Sequence, residues 1–125
     1  VDTEEKMRRC VAEMTEASEV AFDLEMHNES LHTQITCLLQ LSTDLGTDYV
    51  VDVLSPGVWD AVSLLAPVFA DPKVVKVGHS IGGMDVPSLH RDFGIFVVNA
   101  FDTYEAARCL HLKSAGVGKG CEHYG

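Results

Sequence analysis

A short apolar segment that ends in two carboxylates constrains this chain more than any other feature. Val20-Ala-Phe-Asp23-Leu-Glu25 has the composition of a β-strand, with its two acids two positions apart. In an extended strand such side chains point to the same face, so Asp23 and Glu25 would project together from a rigid element. Carboxylate oxygens of this kind suit hard cations such as Mg²⁺ or Mn²⁺. The segment therefore predicts part of a metal site, with a solvated strand end as the common alternative for Asp-x-Glu taken alone.

The composition is that of one globular domain. The chain has 125 residues, of which 46% are hydrophobic, which is enough for a core and too much for a disordered chain. No apolar run approaches the roughly 20 residues that a membrane span needs, so we expect no membrane partner. The four cysteines are far apart and form no C-x-x-C pair, which favours buried free thiols over a zinc or redox motif.

The chain is acidic, with a formal net charge of −10. An acidic surface repels the phosphates of nucleic acids, which lowers the expectation of such a partner. Bound cations at a metal site would reverse the field locally, however. The charge alone therefore leaves both possibilities open.

Hydrophobic periodicity predicts alternating strands and helices after an initial three-strand meander. The predicted strands are 20–25, 35–42, 49–53, 74–77 and 96–98. The predicted helices are 3–18, 58–70, 85–92 and one that begins at Thr103. The glycine-rich end of the chain predicts a loop or a disordered end. This order is typical of an α/β domain with a mixed central sheet flanked by helices.

A third carboxylate is predicted to approach the first two. In this arrangement Asp23 and Glu25 lie on a central strand, and the helix that begins near Asp85 brings its acid to the same place. The structural alternative for Asp85 is that it caps that helix, since Asp is a preferred N-cap residue. Capping is sufficient to explain Asp102, which precedes the last predicted helix, so we leave it out of the catalytic set.

These segments resemble the DEDD superfamily of 3′–5′ exonucleases. Within it, the chain is most similar to the RNase D branch, especially to the catalytic domain of the exoribonuclease associated with the eukaryotic nuclear exosome. The resemblance covers about residues 20–112, with one extra residue in Ser80–Gly83. The segments that carry it are Val20–Glu25, Ile35–Thr43, Asp71–Val77 with His79, Met84–Val86, Leu89–Gly94 and Phe101–Arg108.

The resemblance implies an RNase H-like fold for a 3′–5′ exonuclease domain over residues 1–125. It implies that Asp23, Glu25 and Asp85 are catalytic and hold two divalent ions, Mg²⁺ or Mn²⁺, for phosphodiester hydrolysis. It further implies a substrate path along Met26–Leu31, with His27, and around His79. The expected partners are single-stranded RNA 3′ ends and exosome subunits. The expected location is the nucleus, or the cytoplasm for a bacterial-type RNase D.

One motif of the family is absent from these 125 residues. The family has a tyrosine followed four residues later by aspartate, whereas Tyr104 is followed by Arg108 and Tyr124 is one residue from the end. In the family, the tyrosine orients the attacking water and the aspartate is a fourth metal ligand. We therefore expect a partial, truncated domain with impaired activity. Two alternatives stay open: a non-catalytic RNA-binding or exosome-interacting module on the same fold, and an unrelated α/β domain whose carboxylates are structural.

Overall fold

The computed structural model describes residues 1–28, 34–112 and 115–124. The helices are α1 (Glu4–Glu16), α2 (Val58–Val62), α3 (Ala66–Ala70), α4 (Asp85–Phe93), α5 (Thr103–Cys109) and α6 (Val117–Tyr124), with a 3₁₀ turn at Ser63–Leu65. The strands are β1 (Glu19–Asn28), β2 (Gln34–Thr43), β3 (Asp48–Asp52), β4 (Val75–Gly78) and β5 (Ala100–Asp102).

The five strands form one mixed sheet in the order β3-β2-β1-β4-β5. β1, β2 and β3 pair antiparallel, which confirms the predicted meander, whereas β4 is parallel to both β1 and β5. β1 therefore lies at the centre of the sheet, as predicted. The parallel ladder between β1 and β4 ends at the pair Ala21 and Val77, two residues before Asp23.

The two faces of the sheet differ in chemistry. Phe22 and Leu24 of β1 and Leu39 and Leu41 of β2 are buried in the core beneath the first four helices, and the ring of Phe22 meets that of Phe69 edge-on at 5.3 Å. Each such side chain contributes about 1.5–3 kcal/mol by leaving water. The alternate residues face the other way, so a one-residue slip of register would bury the acids and expose the core.

The helix predicted over 58–70 is interrupted in the structure. Pro67 has no backbone N–H with which to complete an α-helical hydrogen bond to the carbonyl oxygen of Ser63. The chain tightens there into the 3₁₀ turn that separates α2 from α3. The prediction of a single continuous helix is therefore wrong.

The prediction of a last strand over residues 96–98 is also wrong. β5 begins at Ala100, which pairs with Lys76 of β4. The left-handed conformation of Asn99, with φ of 56°, turns the chain immediately before this pairing. Phe96 is 63% exposed, and the N–H of Val98 donates to the carbonyl oxygen of Phe69 in α3 at 2.9 Å rather than to a strand.

The glycine-rich end contains α6 where a loop was predicted. The N–H of Gly120 donates to the carbonyl oxygen of Gly116 at 3.0 Å, and Lys119 pairs with Glu122 at 2.7 Å. α6 contacts α5, with Val117 of α6 and Leu110 at the end of α5 lining one shared groove. This tertiary contact offsets the intrinsic cost of about 1 kcal/mol for each glycine in a helix.

The cysteines are all free, but only Cys10 is buried. Its burial, together with the charge of Glu13, raises the pKa of the Cys10 thiol to about 11. Cys109 and Cys121 are exposed, so the prediction of buried thiols is wrong for those two. None of the helices in the described ranges is long and apolar enough to cross a membrane.

Candidate active site

The first two predicted acids lie on the open face of the sheet. Asp23 and Glu25 are exposed on β1, opposite Gln40 and Leu38 of β2 respectively. The side-chain amide of Gln40 donates to Oδ2 of Asp23 at 3.5 Å. The register of β1 against β2 shifts immediately after Glu25. Such bulges re-aim neighbouring side chains and are frequent beside active sites.

The third acid reaches the same strand from α4. Asp85 is the first residue of α4 and the N-cap is Met84, so the structural alternative in which Asp85 caps the helix is wrong. Instead, Oδ1 of Asp85 accepts the backbone N–H of Leu24 at 3.2 Å. Asp85 is 7% exposed. Its carboxylate therefore lies against β1 at the residue between the other two acids.

The electrostatic environment of Asp85 disfavours its charge. Burial raises its pKa, the N–H of Leu24 partly offsets this effect, and the negative charge of Asp23 raises the pKa further. None of the ion pairs between described residues involves Asp23, Glu25 or Asp85. Two neighbouring carboxylates without a lysine or arginine partner have the donor chemistry that a divalent cation requires.

The three acids do not form a closed cluster, however. Across residues 1–28, 34–112 and 115–124, no three His, Cys, Asp or Glu side chains converge closely enough to hold a metal ion. The Asp23–Asp85 pair fits a cation in chemistry and charge, while Glu25 adds a third oxygen donor two residues along the same strand. The three-carboxylate centre stays a prediction.

A cavity of about 410 Å³ connects Asp23 with one of the predicted histidines. His79 lines this cavity, with its Nδ1 atom 2.9 Å from the hydroxyl of Thr103 and its ring edge-on to Tyr104 at 5.7 Å between centroids. Among the described residues, Glu25 and Asp85 lie outside the lining. The structure thus brings His79 and Asp23 to one cavity, whereas the other two acids lie outside its lining.

The predicted substrate loop at Met26–Leu31 is only partly described. Residues 26–28 continue β1 rather than forming a loop, and His27 is exposed and paired in register with Ile35 of β2. Residues 29–31 lie outside the described residues. The assignment of His27 to the substrate path therefore stays a prediction.

Three polar residues of the cavity were not predicted. Gln40 and Ser42 of β2 lie on the same face as Asp23, and Thr103 approaches from the start of α5. The alternation Leu39-Gln-Leu-Ser42 contained a usable signal, since polar residues at every second position of a strand share the face away from the core. No comparable signal marks Thr103, which depends on how α5 meets the sheet.

Comparison with known proteins relates this chain to 3′-5′ exonucleases by family, by sequence and by structure. A protein-family model described as 3′-5′ exonuclease matches residues 1–124. The exosome complex component 10 homolog of Drosophila melanogaster is 36% identical over 124 residues, which are 99% of this chain and 13% of that protein. The exosome complex exonuclease RRP6 of Saccharomyces cerevisiae is 38% identical over 112 residues, 90% of this chain and 15% of that protein. The crystal structure of the catalytic core of RRP6 from Trypanosoma brucei is 39% identical with a TM-score of 0.89, and the match covers 99% of this chain and 33% of that one.

Proposed function

The chain belongs to the 3′–5′ exonuclease family and has its RNase H-like fold, and we propose that it removes nucleotides from the 3′ end of RNA. The observation that carries this proposal is the meeting of Asp85 with β1 at the residue between Asp23 and Glu25. Relatives named as exosome components support an RNA substrate, although the chain spans only 13% to 15% of their length. Single-stranded RNA 3′ ends as substrate, exosome subunits as partners and a nuclear location are part of the same proposal.

We assign to Asp23, Glu25 and Asp85 the binding of two divalent ions, Mg²⁺ or Mn²⁺. Ions held there supply the activation of a water nucleophile and the stabilisation of the leaving oxygen. The contribution of the protein is a rigid placement of the acids, because Asp23 is on a central strand and Asp85 is bound to the amide of the next residue, Leu24. Rigid elements hold catalytic groups more accurately than loops do.

His79 has the geometry of a substrate-binding residue in this scheme. The hydroxyl of Thr103 donates to the carbonyl oxygen of Gly78 at 3.1 Å, so its oxygen is left to accept from Nδ1–H of His79. This arrangement assigns the ring proton to Nδ1 and leaves Nε2 of a neutral imidazole as an acceptor. We propose that Nε2 binds a hydroxyl of the terminal ribose, and that His27, exposed on β1, contacts the RNA from the other side.

We expect the 125 residues by themselves to act slowly. They carry no tyrosine followed four residues later by aspartate. A group that positions the attacking water typically contributes about 10²–10⁴-fold to the rate. A second candidate function is a module on this fold that binds RNA or an exosome partner without cleaving it, and the formal net charge of −10 favours a protein partner for such a module.

The test uses single-stranded RNA labelled at its 5′ end, incubated with excess protein and Mn²⁺. We expect a ladder that shortens one nucleotide at a time from the 3′ end, and no ladder with EDTA or with Asp23→Asn. Asp60→Asn is the matched control, since Asp60 is an exposed acid on α2 outside the candidate site, and this variant should cleave like the wild type. RNA that stays intact, from a protein that Mn²⁺ also fails to stabilise, would contradict the proposal. Tight RNA binding without cleavage would favour the non-catalytic module.

A further inference from the structure

The carboxylate of Asp102 does more than cap α5. Its Oδ1 atom accepts the N–H of Tyr104 at 2.9 Å, which confirms the predicted capping. The same oxygen accepts the N–H of Ser80 at 2.8 Å, and Oδ2 accepts the N–H of Ile81 at 3.0 Å. Burial alone would raise the pKa of Asp102, but these backbone donors together hold it below its ordinary value, so the group is charged at neutral pH.

The two cross-chain bonds reach the segment that leads from β4 into α4. Ile81 is 3% exposed, and its carbonyl oxygen accepts the N–H of Val86 in the first turn of α4 at 3.0 Å. Asp85 precedes Val86 and is itself bonded to Leu24 of β1. A continuous series of hydrogen bonds therefore runs from Asp102 through Ile81 to the helix turn that carries Asp85.

The same junction orients the histidine of the candidate site. Thr103, the residue after Asp102, bonds to Nδ1 of His79 and to the carbonyl oxygen of Gly78. Ser80, the residue after His79, is held in the left-handed conformation with φ of 59° while its N–H binds Asp102. The backbone on both sides of His79 is thus fixed from the junction between β5 and α5.

The part of Ser80–Gly83 that follows this attachment is loosely packed. A side-chain carbon added at Gly82 would meet no atom within 4 Å, and at Gly83 the nearest atom is the carbonyl oxygen of Ser80 at 3.9 Å. The turn at these two glycines is open to solvent and lies between Ile81 and the start of α4. The attachment to Asp102 therefore holds Ser80 and Ile81, while the turn that follows them has room to vary.

From these contacts we propose that Asp102 is a positioning residue, which fixes the β4–α4 segment so that Asp85 and His79 reach the site on β1. The inference rests on the proposed function, since it assigns those two residues to the site. Capping alone requires one side-chain oxygen, and serine serves as well as aspartate. The second oxygen is needed only for the N–H of Ile81, and the capping oxygen must in addition reach the N–H of Ser80.

This difference gives a variant that separates the two roles. Asp102→Ser retains a cap for Tyr104 but is too short to hold both amides of the segment. The first readout is amide hydrogen exchange of the metal-free protein, measured by NMR. We expect the Leu24 amide to exchange faster by on the order of tenfold, because Asp85 is less firmly held against it, while the amides of α5 keep their protection.

Asp44→Ser is the matched control. Asp44 also accepts two backbone N–H groups, those of Ser18 and Glu19, but at the other end of β1. Its replacement should leave the exchange of Leu24 unchanged.

A second readout is the rise in Tm with Mn²⁺, which should be smaller in Asp102→Ser and intact in Asp44→Ser. With RNA, Asp102→Ser should lower kcat because Asp85 is displaced and raise KM because His79 is displaced, whereas Asp44→Ser should change neither.

Unchanged exchange at Leu24 in Asp102→Ser would overturn the proposal. Should that variant fail to fold, Asp102→Asn provides the same test. Its NH₂ group would take the place of Oδ2 and cannot accept the N–H of Ile81, whereas its oxygen still accepts the N–H groups of Tyr104 and Ser80. A wild-type protein that neither binds Mn²⁺ nor cleaves RNA would refute the proposed function instead. The exchange of Leu24 would then still decide whether Asp102 positions Asp85.

Discussion

The backbone N–H of Leu24 donates to Oδ1 of Asp85 across 3.2 Å and 61 residues of sequence. The parallel ladder between β1 and β4 ends before this point, and the side chain from α4 takes the position beside β1 that a strand would otherwise occupy. Asp85 is therefore a hydrogen-bond partner of the sheet and a candidate metal ligand at once. The two roles can be separated by changing its charge while its shape is retained.

Asp85→Asn should stabilise the metal-free protein or leave its Tm unchanged. Asparagine keeps an oxygen for the N–H of Leu24 but removes a charge that burial and Asp23 disfavour. The same change should abolish the rise in Tm caused by Mn²⁺, because a ligand that binds only the folded state stabilises it, and this stabilisation disappears when the affinity is lost. Thermal unfolding in EDTA and in Mn²⁺ measures both effects, with Asp60→Asn as control. A full Mn²⁺ response in Asp85→Asn would exclude this acid as a ligand.

Gly78→Ala should destabilise the fold at the end of β4. The added carbon would lie 2.2 Å from a methyl carbon of Ile81 and 3.2 Å from the carbonyl oxygen of Phe22. Overpacking of this kind typically costs about 1–3 kcal/mol in the free energy of unfolding. Gly82→Ala is the control within the same segment and should stay within about 0.5 kcal/mol of the wild type, since its surroundings are open. Urea unfolding of the two variants provides the comparison, and equal stabilities would argue against close packing at Gly78.

Asp92→Ala should loosen the attachment of α4 to β2. The carboxylate of Asp92 accepts the hydroxyl of Thr36 at 2.7 Å, and Thr36 is fully buried. Loss of a partner for a buried hydroxyl costs about 1–3 kcal/mol. Arg91→Ala, which removes the neighbouring ion-pair partner, should cost only about 0–1 kcal/mol because the side chain of Arg91 is 46% exposed and solvent screens its charge.

The effect of Asp92 should depend on pH in a defined direction. Burial alone would raise the pKa of Asp92, but Arg91 and Thr36 outweigh it and hold the pKa below the ordinary value of 3.8. Its contribution to stability is therefore complete above that value and is lost as the pH falls through the lowered pKa. The stability gap between wild type and Asp92→Ala should narrow in acid. If the difference in the free energy of unfolding between the two proteins instead widens below pH 3.8, the lowered pKa assigned to Asp92 is wrong.

Tyr49→Phe tests the opposite end of the pH range. The hydroxyl of Tyr49 donates to Glu13 at 2.7 Å, and this bond, with burial and the charge of Glu13, raises the pKa of Tyr49 to about 12. A raised pKa means that the contribution is complete below the ordinary value of 10 and is lost as the pH rises toward about 12. Chemical unfolding across this range should show a steeper loss for the wild type than for Tyr49→Phe. Glu13→Gln should flatten the profile similarly, and parallel profiles for all three proteins would contradict the assignment.

The central part of the fold was predictable because it depends on local alternation. Leu39 is buried and the next residue, Gln40, is exposed, so the alternation of apolar and polar residues in the sequence indicates which face of the strand packs against the core. The same logic placed Asp23 and Glu25 on the open face. It could not predict the hydrogen bond from Leu24 to Asp85, which depends on how α4 docks against β1.

The errors occur where distant parts of the chain decide the local structure. The tripeptide at 96–98 has strong β-propensity, but the pairing of β5 with β4 begins only after the turn at Asn99. In α6, contact with α5 overrides the glycines. The strand pattern and the predicted topology identified the candidate acids, and the resemblance to a known family gave them roles. Neither gave information on the positioning role of Asp102, whose partners Ser80 and Ile81 lie in another segment.

The parallel crossing of β4 beside β1 also has a consequence for the order of folding. The strands of the β1–β2–β3 meander are neighbours in sequence. Their pairing closes only short loops and costs little chain entropy, so we expect the meander to form early. Asp85 can meet Leu24 only after the chain has passed through α2 and α3 and returned as β4. An early intermediate would therefore present Asp23 and Glu25 without Asp85, and pulse-labelled exchange should find the Leu24 amide among the last to be protected. The capacity to bind a cation would then arise only when α4 docks against β1. Metal affinity would therefore be a marker of complete folding.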